Sequence, residues 1–249
     1  MDTLLPSPVR RVQRVRHELR RREVEVARVE ATSPGFVSIV FAGDDLADFV
    51  SDSFDDHLKF IFDTPQGEVQ RRDYTPRRFD RAARSVTVEF ALHGHGPASD
   101  WARQAVPGQR AVLAGPRGSM IIPADYAWHL LAGDATALPA MQRRLEELPA
   151  GTRAIVVAQL PAADRRALAS AAELQLQWVS DGDELLAALR ALVLPPGEGF
   201  VWAAGEAADM ARVRHLLLID RRHPREAMRV AAYWKRGAVG FHEPLESPA

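Results

Sequence analysis

Arg72-Asp73-Tyr74-Thr75-Pro76-Arg77 combines residue types that can hold a charged, flat ligand. Side chains alternate along a strand, so Arg72 and Tyr74 share a face. A guanidinium there can fork onto a pyrophosphate, and a phenol ring can lie against a planar ring system. Thr75 adds a hydroxyl and a backbone N–H at the same spot. Pro76 has no N–H to give a ladder, so pairing should stop there. The plainer alternative is an exposed strand end in a basic stretch.

A second run is His93-Gly94-His95-Gly96-Pro97-Ala98-Ser99-Asp100-Trp101-Ala102. It follows a strongly alternating segment and opens a helix. Glycines, a small residue and a hydroxyl at a helix start leave N–H groups and the positive end of the dipole for an anion such as phosphate. Ser99 as an ordinary N-cap is the alternative. A third run, Gly133-Asp134-Ala135-Thr136-Ala137-Leu138-Pro139-Ala140, puts backbone N–H groups and Thr136 between an apolar strand and a helix. That spot suits the nicotinamide side of a dinucleotide, although it is not the G-x-G-x-x-G fingerprint.

The elements that must position these runs differ between the two halves. Short β-type runs, Phe36–Ala42, Leu58–Phe62, Ser85–Leu92 and Arg110–Ala114, alternate with turns in the first half and predict an antiparallel barrel or sandwich. From Ala127 onward, strands at Trp128–Ala132, Arg153–Gln159, Leu174–Val179 and Phe200–Ala204 alternate with helices. The helices are expected at Ala137–Leu148, Ala162–Ala172, Asp183–Leu192 and Ala207–Arg222. That rhythm predicts a doubly wound parallel sheet. The boundary is placed near Ile122–Tyr126, giving domains 1–123 and 124–249. Arg10–Arg22 reads as a solvated segment, with a nucleic-acid arm as the unsupported alternative.

Composition narrows the chemistry. The 249 residues contain no cysteine, which excludes cysteine-ligated iron–sulfur clusters, thiolate haem and thiol nucleophiles. Redox work would need an organic cofactor. No histidine pair has a persuasive ligand spacing, so no protein-bound metal is expected. The net charge of −1 gives no global field toward nucleic acid or an anionic membrane. No stretch has the ~18 apolar residues of a membrane span. The segment MDTLLPSPVRR lacks an apolar signal core and reads as uncleaved, so the expected location is the cytoplasm.

Taken together, RDYTPR, ALHGHGPASDWA, PGQRAVLAGPRGS, AGDATALPAM, VWAAGE and YWKRG resemble, in order and over nearly the whole chain, the siderophore-interacting proteins. These are ferric-siderophore reductases related to the ferredoxin–NADP reductase group. The resemblance implies an FAD-binding β-barrel followed by an NAD(P)H-binding α/β domain whose C-terminal segment returns toward the flavin. It implies Arg72 at the FAD pyrophosphate, Tyr74 on the isoalloxazine and Thr75 near flavin N5, the last two being the catalytic candidates. His93 and Gly94 would lie along the flavin, with Gly96, Ala98 and Ser99 as the phosphate turn. Trp101 is expected in the core, and Gly115, Pro116, Gly118 and Ser119 at a junction turn.

For the nicotinamide, the resemblance implies Gly133, Asp134 and Thr136, and a second turn at Gly205-Glu206. Ala135 departs from the acidic residue usual in the family. Glu206 as a helix N-terminal carboxylate is an equal alternative. The second strand ends in Gln159 with Arg165-Arg166 beyond, which favours NADPH over NADH; solvated helix arginines are the alternative. An anionic ferric siderophore needs cations, and the candidates are Lys59, Lys235, Arg117 and Arg236, each of which can also be read as merely solvated. The implied activity is hydride transfer from the nicotinamide to FAD, then single electrons to Fe(III). Reduction loosens a metal held by hard oxygen ligands. Two rivals stand beside it: the same reductase with another acceptor, and a non-enzymatic flavin or siderophore binder. Oligomeric state is not predicted.

Overall fold

The structure is a computed structural model, and the residues described are 11–92 and 96–238. The first half comprises β1 (Gln13–Arg16), β2 (Arg21–Ser33), β3 (Phe36–Ala42), β4 (Leu58–Asp63), β5 (Val69–Tyr74), β6 (Arg78–Asp80), β7 (Ser85–Ala91), α1 (Pro97–Gln104), β8 (Arg110–Ala114) and β9 (Gly118–Ile121). Seven of these strands form one antiparallel sheet in the order β5-β4-β8-β2-β3-β7-β6. Its edge strands β5 and β6 are joined only by Thr75-Pro76-Arg77, so the two edges must approach and the sheet curls on itself. Alternation in β2, β3 and β7 sends Val24, Val26, Ile39, Phe41, Val86 and Val88 inward, where Phe60, Phe90 and Leu113 fill the centre.

The second half comprises β10 (Trp128–Gly133), α2 (Leu138–Glu147), β11 (Arg153–Gln159), β12 (Glu173–Val179), α3 (Gly182–Ala191), β13 (Gly199–Glu206), α4 (Ala207–His215) and β14 (Met228–Trp234). Its five strands are all parallel, in the order β12-β11-β10-β13-β14. The chain reverses its direction of travel across the sheet between β10 and β13, which opens a crevice at their carboxyl ends. Buried residues of α2 pack on one face with Leu131, Val156 and Trp202. Residues of α3 and α4 pack on the other with Leu130, Val157 and Val201. The first of these clusters also takes in Phe36, Phe54 and Ala91, so it is shared by both halves.

One expectation is qualified and two are corrected. The stretch Arg10–Arg22 is solvated over most of its described part, as expected, but it is not featureless: β1 pairs antiparallel with β9, and at the far end Arg22 is buried over the Phe49 ring. Arg22 donates to the carbonyls of Asp45 and Gly115 and to Asp48. No helix forms over Ala162–Ala172; there is one 3-10 turn, Ala162–Asp164. Its polar side chains are drawn instead to the first half, Asp164 accepting from Ser33 Oγ and Gly35 N–H and Arg166 pairing with Glu89. The helix expected over Ala207–Arg222 is α-helical only to His215, and a π-type turn follows over Leu216–Asp220. The edge strand β14 was not expected.

Candidate functional site

Arg72 and Tyr74 lie opposite Phe60 and Leu58 in the β4–β5 ladder. Tyr74 packs against Phe90 at 4.3 Å and edge-on to Phe60 at 5.9 Å between ring centres. Burial pushes its hydroxyl pKa up from a value at which the phenol is already neutral, against the pull of Arg72. Arg72 is half-buried, and its side chain donates only to the Arg71 carbonyl among the described residues. Thr75 beside them is buried.

Trp101 brings the second motif to the same place. It is buried against Phe60 at 4.7 Å, Phe62 at 6.0 Å and Phe41 at 6.2 Å, and so belongs to the core. This fixes α1 with its start next to the Tyr74 cluster. Gly96, not Ser99, is the N-cap, and no side chain caps the helix. Ala98 and Ser99 fall in the first turn and are buried. A Cβ built on Gly96 meets no atom within 4 Å among the described residues, Pro97 has no N–H, and no side chain there caps the N–H groups of Ala98 and Ser99. A guanidinium outside any ion pair among the described residues, a phenol ring, a buried threonine and a helix start that no side chain caps suit a pyrophosphate joined to a flat ring system, and these residues fit FAD. His93 and Gly94, read as flavin contacts, lie outside the described residues.

The crevice of the parallel sheet is built by two glycines. At Gly133 φ is +154° and a Cβ would stand 2.0 Å from the Ala204 carbonyl. At Gly205 φ is +155° and a Cβ would stand 2.7 Å from Asp134 Oδ2. Only glycine allows the ends of β10 and β13 to approach so closely. Asp134 is buried and saturated. Its Oδ1 accepts from Thr136 N–H at 2.9 Å and Thr136 Oγ1 at 2.6 Å. Its Oδ2 accepts from Glu206 N–H at 2.9 Å and Trp234 Nε1 at 2.7 Å. Asp134 therefore shapes the crevice and has no lone pair facing an easy partner. Glu206 caps α4 through Ala208 and Asp209 N–H and also accepts from Arg236 N–H at 3.1 Å. Burial works to raise its pKa, but those N–H bonds lower it overall.

The candidate cations differ in their settings. Lys59 is paired with Asp73 across the ladder at 2.7 Å, on the face of the β4–β5 hairpin opposite Arg72 and Tyr74. Lys235 and Arg236 follow β14 and are exposed, and Arg117 is exposed between β8 and β9. Burial, Asp55, Asp134 and Asp73 raise the Tyr233 pKa well above its ordinary value, with Arg229 opposing. The end of β14 meets the carboxyl end of β10, where Trp234 Nε1 donates to Asp134 at 2.7 Å. Of the paired arginines, Arg165 stays at the carboxyl ends of β11 and β12, donating to the Leu160 carbonyl and Ser180 Oγ. Arg166 is turned to Glu89 at 2.5 Å and Thr32, which removes it from a cofactor phosphate.

Sequence reading missed the contacts that join the halves. Arg143 of α2 donates to Ser51 and to the Pro76 carbonyl, and Arg77 forks onto Glu146. Trp202 Nε1 donates to Asp55 at 2.7 Å. The only signal was an arginine on the inner face of an amphipathic helix. Ser119, read as part of a junction turn, is buried and joins His17 to Asp56 at 2.8 and 2.7 Å.

A curled antiparallel sheet followed by a parallel sheet with a glycine-lined switch point gives the chain a ferredoxin-reductase-like fold. Residues 25–120 match the siderophore-interacting FAD-binding domain and residues 126–237 match the siderophore-interacting protein domain. The chain is 34% identical to the NADPH-dependent ferric-chelate reductase of Escherichia coli K12, over 89% of this chain and 96% of that one. It is 27% identical to the ferric vibriobactin reductase ViuB of Vibrio cholerae, over 89% and 93%. A siderophore utilization protein from T. fusca superposes with a TM-score of 0.86 at 35% identity, over 93% and 98%. The chain belongs to the siderophore-interacting protein family. No helix among the described residues is long and apolar enough to cross a membrane.

Proposed function

We propose that this protein is an FAD-dependent reductase that takes a hydride from NADPH and delivers electrons to ferric iron held by a siderophore, acting in the cytoplasm. The observation that carries the reading is that Tyr74 and Trp101 pack on the same two rings, Phe60 and Phe90, which brings the strand carrying Arg72 and Tyr74 together with the helix that no side chain caps. When bound, FAD supplies the exchange of an electron pair for single electrons. Arg72 and the N–H groups after Gly96 hold its pyrophosphate. The Tyr74 ring would pack against the isoalloxazine, with Thr75 beside it near the reactive edge. Asp134 holds the Gly133–Thr136 turn in shape for the nicotinamide. Arg165 receives the 2′-phosphate. One NADPH carries two electrons, enough for two ferric centres in succession. Arg117, Lys235 and Arg236 offer positive charge to an anionic ferric complex.

One observation favours a second reading, in which the acceptor is a different small oxidant. Lys59 is neutralised by Asp73, which lowers the positive charge available to an anionic substrate. An anaerobic absorbance titration of the FAD-loaded protein separates the two. Bleaching by NADPH, followed by recovery of colour on adding a ferric siderophore while a chelator traps Fe(II), is the expected result. Bleaching without recovery moves the assignment to another acceptor. No bound flavin at all removes both readings.

A further inference from the structure

We infer that Arg143 and Glu146 are positioning residues that set the distance between the flavin strand and the nicotinamide turn, an inference that rests on the site assignments just made. The chain leaving Tyr74-Thr75 is gripped at two consecutive residues. The Pro76 carbonyl accepts from Arg143 Nη1 at 3.0 Å, and Arg77 forks onto Glu146 at 2.9 and 2.5 Å. Arg143 and Glu146 stand three residues apart on α2 and so share a helix face.

Both sides of this clasp connect directly to the chemistry. Pro76 is one residue past Thr75. The helix begins at Leu138, entered from the Gly133–Ala137 turn without an intervening loop. Its ten residues form a rod of roughly 15 Å, stiff enough to carry a displacement from one end to the other. Arg143 is 8% exposed and its donors are almost fully committed: Nε to Glu147 at 2.9 Å, Nη1 to Ser51 Oγ at 2.7 Å, Nη2 to the Ser51 carbonyl at 2.9 Å. It also sits over the Phe79 ring. Arg77 is equally buried. A planar fork makes such a pattern, and lysine cannot reproduce it.

Attachment of the two halves does not need this clasp. The shared apolar cluster, Asp164 against Ser33 and Gly35, Arg166 against Glu89, and Trp202 against Asp55 already join them. Those contacts land on β7, the β2–β3 hairpin and the segment before β4. The clasp reaches that segment too, at Ser51, but it alone lands on the flavin motif, at Pro76 and Arg77, and it starts from the nicotinamide helix, so its particular contribution is alignment.

The test uses the full chain loaded with FAD, comparing wild type, Glu146→Gln and Arg143→Lys in anaerobic stopped-flow bleaching by NADPH. The half-saturating NADPH concentration should barely change. The limiting bleaching rate should fall about 10- to 100-fold, the loss expected from misplacing reacting groups by about 1 Å. Deuterium at the transferred position should show a larger isotope effect in both variants than in wild type, which simple loosening of the fold would not produce. In the cofactor-free proteins, amides of Arg77, Arg78 and α2 should exchange faster while β3 and β13 do not. Glu146→Gln preserves side-chain volume and carries the test if Arg143→Lys fails to fold. Absence of bleaching in wild type sinks the flavin assignment and this inference with it. Bleaching in wild type at a limiting rate shared by both variants sinks this inference alone.

Discussion

Replacing Asp134 by asparagine tests whether the crevice is shaped by one carboxylate. Four donors converge on it: Thr136 N–H and Oγ1 on one oxygen, Glu206 N–H and Trp234 Nε1 on the other. An asparagine must turn its NH2 toward one pair. Facing Glu206 and Trp234, it would leave two donors without an acceptor. Facing Thr136, it leaves one, because the threonine hydroxyl can reverse and accept. The second arrangement wins, and the cost is a single orphaned N–H, about 1–3 kcal/mol. For a chain of this size each kcal/mol lowers Tm by about 2–4 °C, so the expected loss is about 2–12 °C. Asp134→Ala removes both oxygens and should cost at least twice as much. Calorimetry on the cofactor-free variants gives the two shifts, and the Trp234 indole proton resonance reports the contact itself. It should stay in place in Asp134→Asn and move in Asp134→Ala. Equal Tm losses for the two variants, or a displaced indole resonance in the asparagine variant, would refute the geometric argument.

Arg72→Gln should weaken FAD binding about tenfold to a hundredfold, the worth of a charge-assisted hydrogen bond, in a titration following flavin fluorescence; unchanged affinity would remove Arg72 from the pyrophosphate. Glu146 carries a pH signature. Burial would raise its pKa, but hydrogen bonds from Arg77 and Arg78 prevail and hold it at about 2. Its stabilisation is therefore present above the ordinary carboxylate range and is lost as pH falls toward about 2. Glu146→Gln should flatten the acid limb of a Tm-against-pH curve, and superimposable curves would contradict this. Asp56 runs the opposite way. Burial raises its pKa over the opposing bonds from Ser119, Ser51 and Ser53 N–H and the charge of Arg143. It favours folding below the ordinary carboxylate pKa and loses that benefit as pH climbs through the raised value. Asp56→Asn keeps one oxygen for those three donors, while Oδ1 of the acid has no partner among the described residues. The variant should lose the wild type's change of Tm with pH around the raised value, and an unchanged pH dependence would count against the assignment.

The periodicities that were easy to read came from local burial. The alternation of β7 and the apolar runs of β10, β11 and β13 reflect faces fixed by the nearest core, and Trp101 was legible as packing for the same reason. What was not legible depends on residues far apart in sequence. The segment after Ala162 has good helix formers, yet Asp164 and Arg166 find partners at Ser33, Gly35 and Glu89, and that overrides propensity. Every residue of β1 is exposed, so no apolar pattern betrays its pairing with β9. At the site, positions were clearer than roles. Glu206, ambiguous in sequence, caps α4 and also holds Arg236 N–H. Asp134 is in the expected turn but spends its lone pairs on protein donors. Lys59 looked like a cation for substrate because a single chain does not announce that Asp73 stands across the ladder.

The apolar cluster shared by the two halves has a consequence for how such proteins can be recombined. Phe36, Phe54 and Ala91 lie in the same buried set as Leu131, Val156 and Trp202. A gene cut between residues 122 and 126 would strip those three of their cover and leave Glu146 and Asp164 facing solvent without Arg77 and Ser33. Exchange of a donor-specific second half between relatives would then yield aggregating hybrids unless the matching patch travelled with it. Specificity for the nicotinamide and the identity of the flavin half are in that sense inherited as one unit, written across a seam that no linker marks.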